Sequence, residues 1–266
     1  MTAAEKSTLA HFLDLTDDQL RDGHSRNRED YAFKDDELPL PGNMEKAEPS
    51  TAIPLAYMVE EPSESSDTSE SSDSAESSDS LKNIYADIAA CKACGLAANR
   101  KNTVPGEGVT RPLVMIIGEG PGADEDAAGR PFVGRAGQLL DKMLESIGLS
   151  REKNCYIANM VKCRPPGNRD PEPDEIAACF PCLERQILLL KPKIILCAGR
   201  VASQNILKTS QGINALRGEF AQITIGEIVI PVLPTFHPSA ILRDETLKRP
   251  AWEDLKLLKS RIEELD

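Results

Sequence analysis

The chain has 266 residues, with 43 acidic and 31 basic side chains and a formal net charge of −12, which is long enough for one or two domains. The acids are concentrated: residues 1–80 hold 20 of them against 6 bases, which leaves residues 81–266 with 23 acids and 25 bases. A uniformly acidic protein would be excluded as a nucleic-acid binder, whereas a near-neutral domain behind an acidic arm is not.

No stretch is long and apolar enough to cross a bilayer. The N-terminal "MTAAEKSTLAHFLDL" lacks a basic region ahead of an apolar core, so a cytoplasmic location without a membrane partner is expected. Seven cysteines in that compartment read as metal ligands or core residues rather than disulfides.

In chain order, "STLAHFLDLTDDQL" has the periodicity of a short helix, either a plain surface helix or a docking motif for a partner. "EEPSESSDTSESSDSAESSDS" holds too few apolar residues to offset the entropy of ordering, so disorder is expected there. The chain therefore divides into an acidic extension, residues 1–80, and a folded domain, residues 81–266. Leu113–Gly118 reads as a buried strand ending in a glycine turn. "GQLLDKMLESIG" reads as a helix with Leu139, Leu140, Met143, Leu144 and Ile147 on one face. "NCYIANMVKC" is a second strand. The helix in "DEIAACFPCLERQILLL" places Ile176, Phe180, Leu183, Ile187 and Leu190 on one face, with a kink expected at Pro181. "PKIILCAG" is a third strand, "RVASQNILK" a short helix, "GEIVIPVLPTFHP" a last strand and "AWEDLKLLKSRIEEL" a closing helix.

Alternating helices and continuously apolar strands predict a three-layer α/β/α sandwich around a central, mainly parallel four-stranded sheet. Ligands in such sheets bind at the C-terminal strand ends. The loops at those ends are "GEGPG", "NMVKCRPPGNRD" and "FHPSAILR". The first has neither the dinucleotide-binding spacing nor a P-loop lysine, which argues against a nucleotide-dependent redox enzyme. Glu119 in that loop is a carboxylate that burial would tune for catalysis. His237 is the one histidine of the folded domain, and a neutral imidazole at a strand end can donate to a developing anion.

The cysteines leave two ligand sets open. Cys91/Cys94 and Cys179/Cys182 are both C-x-x-C pairs, which suggests zinc in a non-catalytic nucleic-acid binding module. Cys163 is the other candidate, and spacing alone chooses neither it over Cys182 nor iron over zinc. Cys155 and Cys197 lie in apolar strands and read as core.

"CKAC", "GEGPGADED", "GRPFVG", "NMVKCRPPGNRDPEPDEIAAC" and "FHPSAIL", in this order, closely resemble the iron–sulfur uracil-DNA glycosylases of family 4, over about residues 84–262. The resemblance implies a monofunctional, monomeric DNA-repair enzyme that releases uracil from DNA and leaves an abasic site. It implies a [4Fe–4S] cluster on Cys91, Cys94, Cys163 and Cys179. It also implies a pocket in which Phe132 stacks on uracil, Asn159 reads its polar edge and Glu125 excludes the thymine methyl. Gly120 holds the base through its backbone, Glu119 activates water and His237 stabilises the departing base. Arg164 and Arg169 would face DNA phosphates, and Leu242 and Arg243 would fill the vacated stack. A relative that traps DNA covalently through its histidine carries a basic insertion after the Gly-Arg-Pro-Phe motif. Here "GRPFVGRAGQLL" runs straight into a helix.

Overall fold

The computed structural model describes residues 79–265. The N-terminal helix, the acidic run and the docking motif expected in the extension lie outside the described residues. The described chain enters through α1 (Leu81–Ala90), whose first turn is capped by the Ser80 hydroxyl accepting from the Asn83 N–H. A two-residue strand, β1 (Glu107–Gly108), precedes β2 (Val114–Gly118), α2 (Ala123–Ala128) and α3 (Arg135–Glu145). Then follow β3 (Cys155–Asn159), α4 (Pro173–Leu190), β4 (Ile194–Ala198) and α5 (Arg200–Leu207). The last part comprises α6 (Ile213–Leu216), β5 (Ala221–Ile225), β6 (Ile228–Thr235), α7 (Pro238–Arg243) and α8 (Lys248–Glu263). Among the described residues, no helix is long and apolar enough to cross a membrane.

The sheet order is β1-β3-β2-β4-β6-β5. The four strands expected from apolar runs form its parallel centre, with Ile116 opposite both Ile157 and Leu196. Every residue of β2, β3 and β4 is buried, because helices cover both faces. The expectation of four strands is corrected to a mixed sheet of six. β1 pairs antiparallel with β3, and β5 pairs antiparallel with β6 across the two-residue turn Gly226–Glu227, where Gly226 takes φ +55°. Two residues are too few to show a period, and β5 ("AQITI") has the alternating burial of a half-covered edge rather than an apolar run.

Alternation of side chains along each strand splits the core in two. Val114, Ile116, Ile157, Leu196 and Leu233 pack with Leu140, Met143, Trp252 and Leu255 of α3 and α8. Met115, Ile117, Ala158, Ile195 and Val232 pack with Leu183, Ile187, Ala202 and Ile206 of α4 and α5. The layers are therefore helix, sheet, helix. α4 runs as a single helix through Pro181, and α3 begins two residues before the expected glycine.

The end of β6 is pinned from α8. Asp254, fully buried, accepts from the Thr235 hydroxyl at 2.7 Å and from the Arg217 guanidinium at 2.7 and 3.0 Å. Arg217 also lies over the Phe236 ring, 5.1 Å from its centroid. This clamp holds the backbone that leads into His237. Arg217→Met leaves a buried carboxylate with one donor, and should cost about 3 kcal/mol in denaturant unfolding.

Candidate active site at the strand ends

β2 and β3 end in register, Gly118 beside Asn159. A Cβ on Gly118 would stand 2.4 Å from Asn159 Oδ1 and 2.6 Å from Phe132 Cζ. Only glycine admits both groups at this place. Asn159 is 1 % exposed, yet its Oδ1 has no hydrogen-bond partner among the described residues. A buried acceptor left unmet costs about 1–3 kcal/mol, so its natural reading is a ligand contact. Phe132 is buried and takes φ +52°, a left-handed backbone that a bulky residue rarely adopts. Arg151 holds it there, donating to the carbonyls of Pro131 and Phe132 at 3.0 Å each while pairing with Asp141 at 2.6 Å. Gly137 leaves the room, since a Cβ there would sit 2.0 Å from the Phe132 carbonyl.

His237 stands 5.6 Å from Phe132, centroid to centroid. It is the N-cap of α7, and its Nδ1 accepts from the Ser239 N–H at 3.1 Å and contacts the Ser239 hydroxyl at 2.8 Å. A backbone N–H can only donate, so Nδ1 is bare and the neutral ring carries its proton on Nε2. Burial, with Arg243 adding to it, pushes the His237 pKa down to about 4. The ring therefore presents a neutral Nε2–H donor. Gly199, at φ +96°, permits the approach, because its Cβ would lie 2.8 Å from His237 Cβ.

Glu119, half-buried after β2, is pushed the other way, up to about 7, by burial and by Asp170, against Arg200 and Arg243. Asp170 and Arg200 are themselves an ion pair. One set of strand ends thus holds a carboxylate poised near neutrality and an imidazole kept neutral, an arrangement typical of acid–base chemistry. Glu125 is more constrained than the sequence implies. Its carboxylate accepts from the backbone N–H groups of Gly122, Val133 and Gly134 at 3.1, 2.9 and 2.9 Å. It ties the start of α2 to the turn after Phe132. Gly120 packs against the segment that follows β3, where a Cβ would meet Val161 at 2.9 Å.

The outlying basic residues differ among themselves. Arg164 gives one bond to Asn168 and is half-buried. Arg169, expected to face phosphates, makes a two-pronged pair with Glu175 at 2.9 and 2.7 Å, because the capping carboxylate of α4 lies in its reach. Arg243 is exposed with one contact to Ser239 at 3.3 Å, and Leu242 packs partly against the core. Ser239, Arg151 and Asp170 were not singled out in the sequence. Of these, only the His-Pro-Ser spacing carried a signal, that of an N-cap followed by Pro at the first helical position.

The cysteines lie apart from this site. Cys91, Cys94, Cys163, Cys179 and Cys182 all line one recess between α1, the β3 loop and α4, of about 320 Å³ counted with its open solvent. Cys155 and Cys197 are buried in β3 and β4. The Lys162 N–H donates to Cys179 Sγ and Arg100 to Cys163 Sγ, each at 3.2 Å. Donors aimed at sulfur suit bound thiolates. Burial pushes the Cys163 and Cys182 thiols up, and Cys179 up to about 11. Among the described residues, no three His, Cys, Asp or Glu side chains are placed to hold a single metal ion. A four-iron cluster takes four thiolates, one at each iron, and the recess offers five cysteines.

The family model of the uracil DNA glycosylase superfamily matches residues 105–256. A type-4 uracil-DNA glycosylase of Sulfurisphaera tokodaii is 45% identical over 184 residues, covering 67% of this chain and 83% of the relative. Another type-4 uracil-DNA glycosylase, of Thermotoga maritima, is 44% identical over 178 residues, covering 66% and 91%. A type-5 uracil-DNA glycosylase of Mycobacterium bovis is 30% identical over 154 residues, covering 51% and 57%, so the likeness to type 4 is both closer and longer.

The ring geometry makes a direct prediction. Nitrogen NMR of the full chain should show His237 neutral, with its proton on Nε2, down to about pH 4. A protonated ring at neutral pH would contradict the geometry.

Proposed function

The chain belongs to the type-4 family of the uracil DNA glycosylase superfamily, and we propose from that premise that it hydrolyses the N-glycosidic bond of deoxyuridine in DNA, as a step of base excision repair. The observation that carries this reading is the buried, unpartnered Asn159 Oδ1 beside the strained Phe132. A base that leaves the stack lies on the Phe132 ring, and Asn159 accepts from N3–H while its amide N–H donates to O4. Cytosine presents an amino group at the same place and mispairs.

The reaction leaves positive charge on the sugar and negative charge on the base. The His237 Nε2–H donates to the uracil O2 as the electrons of the broken bond pass to N1. Water forms the new bond to C1′, and its proton passes to the Glu119 carboxylate. No side chain becomes linked to the sugar, so the product is an intact abasic strand and free uracil. Thymine is rejected sterically, because a methyl difference alone is worth only about 1–3 kcal/mol in binding. Glu125, held by its three backbone donors, fixes the turn that forms this wall, and Gly120 lets the backbone approach the base.

Cys91, Cys94, Cys163 and Cys179 are the proposed ligands of a [4Fe–4S] cluster, which when bound supplies a cross-link between α1, the β3 loop and α4 and no redox step. Arg164 and Arg169 face the DNA phosphates, Arg169 braced by its pair with Glu175, and Leu242 and Arg243 fill the gap left by the base. Residues 81–266 form the glycosylase domain, and residues 1–80 are an acidic extension that either lowers non-specific DNA binding or docks a repair or replication protein. A zinc-binding, non-catalytic module accounts for nothing at the strand ends.

His237→Ala and Glu119→Ala should each lower the rate of uracil release by roughly 10²–10³-fold in an alkali-cleavage assay on uracil-containing DNA. Glu119 works as its carboxylate, so kcat/KM should rise with pH through about 7 and show no inflection from His237 above about 4. Wild-type inactivity on uracil opposite guanine, opposite adenine and in single strands would sink the proposal.

A further inference from the structure

Lys162 is the largest anomaly outside the reacting groups. It is 1 % exposed, and among the described residues no carboxylate lies within ion-pair distance of it. Lysines are almost never fully buried unless paired. Its ammonium donates to the Asn159 carbonyl at 2.9 Å and to Gln186 Oε1 at 2.8 Å, both neutral acceptors. Lys162 also lines the cysteine recess, and its backbone N–H donates to Cys179 Sγ. Gln186 is anchored in turn by the Pro105 carbonyl and the Tyr156 hydroxyl, and Tyr156 by Tyr85 of α1. The position of the ammonium is therefore set from several elements at once.

A buried cation needs a nearby anion, or its desolvation goes uncompensated. The groups near it that can carry negative charge are the Cys179 and Cys182 thiols of the recess. Four thiolates on a cluster supply that anion. The same ammonium reaches the backbone of Asn159, whose amide meets the base. We propose that Lys162 is a positioning residue that couples the two sites: it neutralises charge in the cysteine recess and, from that anchor, fixes the Asn159 peptide so that its amide meets uracil. This rests on the glycosylase reading and adds a residue to it. The link predicts that occupancy of the recess is felt in base recognition, although Lys162 touches neither substrate nor reacting atoms.

The test uses the full-length chain purified with its iron and a single-stranded uracil-containing oligonucleotide. Lys162→Met removes the charge and both hydrogen bonds while keeping an unbranched apolar stem. Asn159 contacts base in ground and transition states alike, so KM should rise roughly three- to tenfold with kcat within about twofold. The reduction potential of the bound iron should move to more negative values, because a cation beside it is gone. A merely structural lysine would move neither in this pattern. If either KM or potential stays at the wild-type value, the coupling is overturned. Lys162→Arg keeps the charge but cannot place one nitrogen between the same two acceptors. It should hold the wild-type potential with a raised KM, and it decides the matter if the Met variant does not fold. A wild-type KM in the Arg variant overturns the proposal. Wild-type protein that carries iron yet releases no uracil would instead remove the glycosylase reading, and this inference with it.

Discussion

The site depends on a missing side chain. At Gly118, where two parallel strands end together, the absence of a Cβ lets Asn159 Oδ1 and the Phe132 ring approach one backbone from two directions. Everything else serves that convergence. Arg151 and Gly137 keep Phe132 in a backbone conformation it would otherwise leave. Glu125 locks the turn that follows, and the Asp254–Arg217–Thr235 clamp delivers His237 to the opposite wall. The parallel sheet makes this possible because its strand ends point to one edge, and short loops suffice to hold the groups there.

The same setting separates two titrating groups. Removal from water disfavours charge of either sign, so it raises Glu119 and lowers His237. The result is an imidazole that donates without being charged and a carboxylate that accepts a proton near neutrality. The Ser239 N–H fixes which imidazole nitrogen carries the proton. Orientation is thus set by the helix cap itself, and the ring needs no carboxylate partner to choose its tautomer.

Much of this was legible in the sequence, for a physical reason. Strands buried on both faces are apolar throughout, so β2, β3, β4 and β6 could be read directly, and parallel order placed the motif loops at one edge. The strands β1 and β5 escaped because a two-residue pair and a half-covered edge leave little pattern. The cysteine recess was legible only as alternatives, since five thiols share it and C-x-x-C spacing does not say which of them bind. The pairing of Arg169 was not legible, because only the folded chain brings Glu175 to it. Lys162 was invisible for the opposite reason: a lysine between a strand and a cysteine reads as exposed, and only tertiary packing buries it.

The central claim is that the pocket at Gly118 selects uracil and that the strand-end groups expel it. The most direct measurement is mass spectrometry of the free bases released from DNA that carries uracil, thymine and cytosine at matched positions. The account predicts that uracil alone appears, in equal number with abasic sites and with the strand uncut. Release of thymine at a comparable rate, or no release of any base, would contradict it.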